Sequence, residues 1–195
     1  MCNVPVYKLA KLFAQKIQHL TPLPYTFNIR KSTQLIHELK QTPITPSSRF
    51  ASLDITNMYS NIPVTKTKQI LSNILTCNSI DPDTRSEILN WYEVITKQNY
   101  FKNNENIILQ ENGLAMGAPS SSIISELFLQ YLEQTKLPHI AHNLKLLNYF
   151  QYVDDILIIF DSQHTDINKI ANEFNTLHPN IEFTEETENT TRLTI

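Results

Sequence analysis

Residues 148–160, NYFQYVDDILIIF, are the stretch on which the reading of this chain turns. Two adjacent aspartates, Asp154 and Asp155, sit between two apolar, aromatic and β-branched runs. Such runs favour buried strands. Neighbouring carboxylates are costly there unless a turn exposes them or a cation neutralises them. The pattern predicts two strands over 146–160 that meet at Asp154-Asp155. Two uses of the acids stay open: ligands presented to a divalent ion at a hairpin tip, or an ordinary solvated turn.

Working outward, residues 50–63 (FASLDITNMYSNIP) place Asp54 at the end of an apolar strand over 50–55, before a polar turn. Asp54 is either a turn cap or a second acid for the same chemistry. Residues 113–122 (GLAMGAPSSS) hold both glycines of the chain, Gly113 and Gly117. In so glycine-poor a chain they mark backbone that needs unusual freedom or close approach. Pro119 and the serines open a helix to about Thr135, whose free N–H groups favour phosphate or base contacts. A plain loop-to-helix junction is the alternative.

Helical spacing predicts a helix over 6–20 with Leu9, Leu12, Phe13, Ile17 and Leu20 on one stripe, ended by Pro22 and Pro24. A short helix follows to Leu39, capped by Ser32 or Thr33. Further helices are expected over 64–77 and 82–98, the latter opened by Asp81-Pro82. A hairpin over 99–111 turns at 103–106. Residues 166–177 carry Ile167, Ile170, Ala171 and Phe174 on a helical stripe, and strands are expected over 181–186 and 191–195. Trp91 and Tyr92 read as core, Met116 as core filler, and the scattered histidines as structural or surface residues. The order of elements fits an antiparallel sheet backed by helices, the α+β class.

The chain has 195 residues, 41% of them hydrophobic and 18% charged, which argues against disorder. Its net charge of −3 lacks the basic surplus common in nucleic-acid binders. Lys8, Lys11, Lys16, Lys66 and Lys68 nevertheless cluster away from the acidic C-terminal end. Two cysteines, Cys2 and Cys77, form no metal or disulfide framework and point to a reducing, intracellular compartment. No run of about 18 apolar residues is present, so no membrane span is expected.

Together, the strand aspartate with its turn tyrosine, the GLAMGAPSS loop and the YVDD hairpin resemble the successive palm motifs of reverse transcriptases. LDITNMYSNIP, GLAMGAP, YVDDILIIF and LHPNIEFT are most similar to Penelope-like retroelements, relatives of telomerase, as are VPVYKLAKLF and FNIRKSTQLIHEL. The resemblance implies a ferredoxin-like polymerase palm over 49–195, interrupted by a helical fingers and palm segment at 64–111. Partial fingers would occupy 1–48, and the thumb would be missing. It implies an RNA-directed DNA polymerase working on an RNA template, a DNA primer and deoxynucleoside triphosphates. The setting implied is a longer polyprotein or element-encoded protein, intracellular and nuclear.

The resemblance also assigns roles. Asp54, Asp154 and Asp155 are the catalytic carboxylates. With the Ile55 carbonyl they would hold two magnesium ions, manganese being the substitute. Tyr59 would exclude a sugar 2′-hydroxyl. Gly117, Ala118 and Pro119 would line the nascent base pair, and Arg30 and Lys31 would meet the triphosphate. Two rivals accompany this reading: a relic or domesticated fragment that binds nucleic acid without catalysis, and an RNA-making or telomerase-type polymerase.

Overall fold

The computed structural model of the protein describes residues 5–21, 23, 27–103 and 106–186. In chain order these form α1 (Pro5–Leu20), α2 (Ser32–Gln41), β1 (Ser48–Ile55), α3 (Met58–Asn61), α4 (Val64–Cys77), α5 (Pro82–Lys97), β2 (Tyr100–Asn103) and β3 (Asn106–Leu109). There follow α6 (Ser121–Thr135), α7 (Leu137–Leu144), β4 (Leu146–Tyr152), β5 (Asp155–Asp161), α8 (Ile167–Phe174) and β6 (Phe183–Glu186). The chain divides into two compact units, one of residues 1–24 and 57–131, the other of 25–56 and 132–195. Among the described residues, no helix is long and apolar enough to cross a membrane. The prolines expected to end α1, the strand expected at 191–195, and Cys2 lie outside the described residues.

The first unit is helical, with a small ribbon of β2 and β3. Ala10, Phe13 and Ile17 form the buried stripe of α1, at the three- and four-residue spacing of one helix face. Leu12, expected in that stripe, is exposed instead, because the alanine takes the inward position. In α5 the inward residues are Ile88, Tyr92 and Ile95. Tyr92 packs its ring 6.1 Å from that of Phe13 and donates its hydroxyl to Val64 O at 2.8 Å. Burial pushes the Tyr92 phenol far above its ordinary range. Asp81 caps α5 by accepting from Thr84 N–H at 2.9 Å, with proline in the first turn.

The second unit is built on an antiparallel sheet of order β4-β5-β1-β6. With helices crossing between β1 and β4 and between β5 and β6, this is the strand order of a ferredoxin-like layer, the α+β palm arrangement. Alternation sorts the side chains. Ala51, Leu53, Ile55, Ile156, Ile158, Phe160 and Phe183 share one buried face. There Phe174 of α8 stacks on Tyr149 and meets Phe183 edge-on. On the opposite face Phe150, Leu157 and Ile159 pack against Ile29 and against Leu35 and Leu39 of α2. At α2 the cap is a correction: Lys31 is the N-cap, with no side-chain cap bond, and Ser32 is already helical. Two short elements, α3 and α7, lie outside the sequence reading; α7 follows α6 almost directly, carries Pro138 in its first turn and buries Leu137, Ile140 and Leu144.

Candidate active site

The β4–β5 hairpin turns at Val153-Asp154, with Tyr152 opposite Asp155. The next pairing places Asp155 of β5 directly opposite Asp54 of β1. Directly opposed residues of an antiparallel pair have Cα atoms about 4.5–5.5 Å apart, and like charges so placed repel. Asp154 joins them through its backbone, its carbonyl accepting from Ile55 N–H at 3.2 Å. The sheet thus brings Asp54, Ile55, Asp154 and Asp155 to one end of two neighbouring strands. Asp54 and Asp154 are half-buried, and among the described residues neither carboxylate has a hydrogen-bond or ion-pair partner. Partly desolvated carboxylates without donors are unfavourable unless a cation joins them. They are hard oxygen donors of the kind magnesium takes. Their side chains are not gathered into a finished nest: among the described residues, no three His, Cys, Asp or Glu side chains form a metal-binding group.

The turn is held in a strained form. Val153 has φ +58, in the left-handed region. A β-branched residue there costs about 1–3 kcal/mol.

On the same face of the sheet lies a cavity of about 350 Å³, lined by Ile29, Arg30, Lys31, Leu35, Phe150 and Asp155 among others. Arg30 and Lys31 are therefore neighbours of one of the three acids, at the start of α2. The remaining predicted residues belong to the other unit. Tyr59 is half-buried in α3. Its carbonyl accepts from Leu114 N–H at 2.7 Å, which ties α3 to the glycine loop. Gly113, φ +72, is the close approach: a Cβ there would stand 2.2 Å from Ser60 O. Gly117, φ +80, faces open space, with nothing within 4 Å of a Cβ. Met116 beside it is exposed, not core filler. Ala118 and Pro119 border a cavity of about 30 Å³ with Tyr7, Ala10 and Asn99. That is room for a water or two rather than a base.

The profile of the reverse transcriptase (RNA-dependent DNA polymerase) family matches residues 1–185. The chain belongs to the reverse transcriptase family. Solved structures with the same fold include apo telomerase from Candida tropicalis truncated from its C-terminal domain. That structure has a TM-score of 0.64 and 13% identity, over 97% of this chain and 42% of the telomerase. Another is telomerase from Candida albicans in complex with a fragment of telomeric RNA, with a TM-score of 0.59 and 14% identity, over 96% and 36%. At such identities the likeness is one of fold, and this reverse transcriptase chain spans about two-fifths of the telomerase chains. No curated protein matches the sequence.

One residue of the reverse transcriptase hairpin escapes the sequence reading. Gln151 is 1% exposed and donates its side-chain amide to Val153 O at 2.9 Å. Its signal in the sequence is an amide one residue before the Tyr152-Val153-Asp154-Asp155 tip, among aromatic neighbours.

Proposed function

We propose that this chain is the palm, with part of the fingers, of an RNA-directed DNA polymerase of a Penelope-like retroelement, acting in the nucleus. It would extend a DNA primer with deoxynucleotides on an RNA template. The observation that carries the reading is the opposition of Asp54 and Asp155 across β1 and β5, with Asp154 in the adjoining turn. Three acids at one end of two neighbouring strands, two of them without donors among the described residues, have a ready physical use in divalent-ion binding. Two bound magnesium or manganese ions would activate the primer 3′-hydroxyl and steady the leaving pyrophosphate. In this reading Asp54 from β1 and Asp154 from the β4–β5 turn would hold the ions. The Ile55 carbonyl adds a ligand, and Asp155 supports the pair. Arg30 and Lys31, lining the cavity beside Asp155, carry charge opposite to that of a triphosphate. Tyr59 acts as the ring that rejects a 2′-hydroxyl, while the open flank of Gly117 leaves room for the nascent base pair.

Primer extension on an RNA template, with magnesium and deoxynucleotides, tests the proposal. Extension by this chain and none by Asp154→Asn is the expected result. Full activity in the variant would remove Asp154 from the site. Ribonucleotide use by Tyr59→Ala is the expected sign of the gate, and unchanged selectivity would sink that assignment.

A second reading, a fold that binds nucleic acid without catalysis, is favoured by one observation: the carboxylates are not drawn together. Manganese binding that depends on Asp54 separates the two, since the non-catalytic reading expects none.

A further inference from the structure

Gln151 sits where three pieces of the second unit meet. Its backbone N–H donates to Phe27 O at 2.9 Å, and its carbonyl accepts from Ile29 N–H at 2.7 Å. The strap around Asn28 thus lies along the outer edge of β4 in parallel register. That strap leads directly into Arg30, Lys31 and α2. The side chain points along the strand to the hairpin tip, where Nε2 donates to Val153 O. The other amide atom, Oε1, is buried and has no hydrogen-bond partner among the described residues.

This arrangement is informative because it is one-sided. A buried amide that leaves its own oxygen unpaired is kept at a cost. Turning the amide over would not help, since it would set an oxygen against the Val153 carbonyl and leave the NH2 group unpaired. The donor is needed at Val153. That residue stands at φ +58, a conformation valine rarely adopts without outside support. The peptide being held is the one that leads into Asp154.

We infer that Gln151 is a positioning residue, whose buried side-chain amide holds Val153 in its left-handed form and so fixes the tip that presents Asp154 and Asp155. The consequence for ion binding rests on the carboxylate reading above; the consequence for the turn does not. Arg30 and Lys31 are placed from the same node, because the strap that carries them is bonded to the backbone of Gln151. A methionine at 151 would fill the same space without a donor. A glutamate would keep the shape and set a carboxylate against the carbonyl. Glycine at 153 would remove the need for a holder, since it takes positive φ unaided.

The test uses the full chain and two readouts: backbone carbon shifts of residue 153 by NMR, and manganese binding. Gln151→Met is expected to abolish the left-handed signature of Val153 and to weaken manganese binding about tenfold, the scale of lost outer-shell support. Adding Val153→Gly to that variant is expected to bring affinity back to within about twofold, because glycine supplies the turn without the amide. A merely structural role for Gln151 in packing β4 would not be rescued in this way. A left-handed Val153 in Gln151→Met, or a double variant as weak as the single one, overturns the inference. Should Gln151→Met not fold, Gln151→Glu gives the same reading, and a left-handed Val153 there is equally decisive. If the wild-type chain binds no manganese, the carboxylate reading falls, while the shifts of residue 153 still decide the role of Gln151.

Discussion

The two ends of β5 each carry an aspartate at a turn, and the two turns are built differently. Asp161 opposes Ser48 across the sheet and accepts from Gln163 N–H at 3.0 Å. The Gln163 N–H first, then the Ser47 hydroxyl and the charge of His164, hold its carboxyl below the ordinary range. This is an acid that shapes a turn. At the other end Asp155 opposes another acid, and the half-buried Asp54 and Asp154 have no donors among the described residues. A solvated turn describes Asp161 and does not describe the 153–155 tip. Acids left without donors among the described residues, beside a strand whose far end carries a fully served one, are fitted to something brought from outside.

The largest expected effect exploits that contrast. Asp154→Asn should lower nucleotide addition by about 10²–10³-fold, the scale of losing a key electrostatic group, with the fold retained or slightly stabilised by relief of repulsion. Asp161→Asn should leave addition within about twofold while lowering the thermal midpoint, as a change remote from the chemistry. Equal loss in both variants would erase the distinction between the two ends.

A residue fixed by its neighbours and one beside open space also separate the two glycines. Gly113→Ala should cost about 2–4 kcal/mol, since both backbone strain and the collision with Ser60 oppose it. Gly117→Ala should cost only about 1–2 kcal/mol, the strain alone. Urea unfolding of the two variants measures the gap, and equal losses would mean that the Gly113 contact is not a close one.

At the tip itself, Val153→Gly should raise stability by about 1 kcal/mol, the relieved strain less the entropy of glycine. A loss in urea unfolding would show that Val153 is not strained.

The smallest effect is acid-dependent. The Asp161 carboxyl is lowered in the folded chain from an ordinary 3.8. Its contribution is therefore complete above that value and is lost as pH falls through the lower folded value. Below pH 4 the wild type should lose stability more steeply than Asp161→Asn, as measured by urea unfolding at each pH.

Much of this was legible because strands and helices here carry their period openly. The Asp154-Asp155 tip follows from two apolar runs that could not bury acids, and α4 and α5 follow from their spacing and the Asp81-Pro82 cap. The ferredoxin-like order was legible only through family resemblance, since pairing partners leave no local signal. Three features were not legible. Leu12 stands at helical spacing with Phe13 and Ile17, yet the fold buries Ala10 and leaves Leu12 exposed. The two glycines look alike in sequence, while only the fold shows Ser60 against one of them. The opposition of Asp54 and Asp155 depends on register across about a hundred residues of intervening chain, which no local pattern encodes.

The measurement that meets the central claim most directly is a manganese titration of the wild-type chain beside Asp54→Asn and Asp161→Asn. The account predicts binding by the wild type and by Asp161→Asn, and its loss in Asp54→Asn. Equal binding by all three, or none by the wild type, would contradict it.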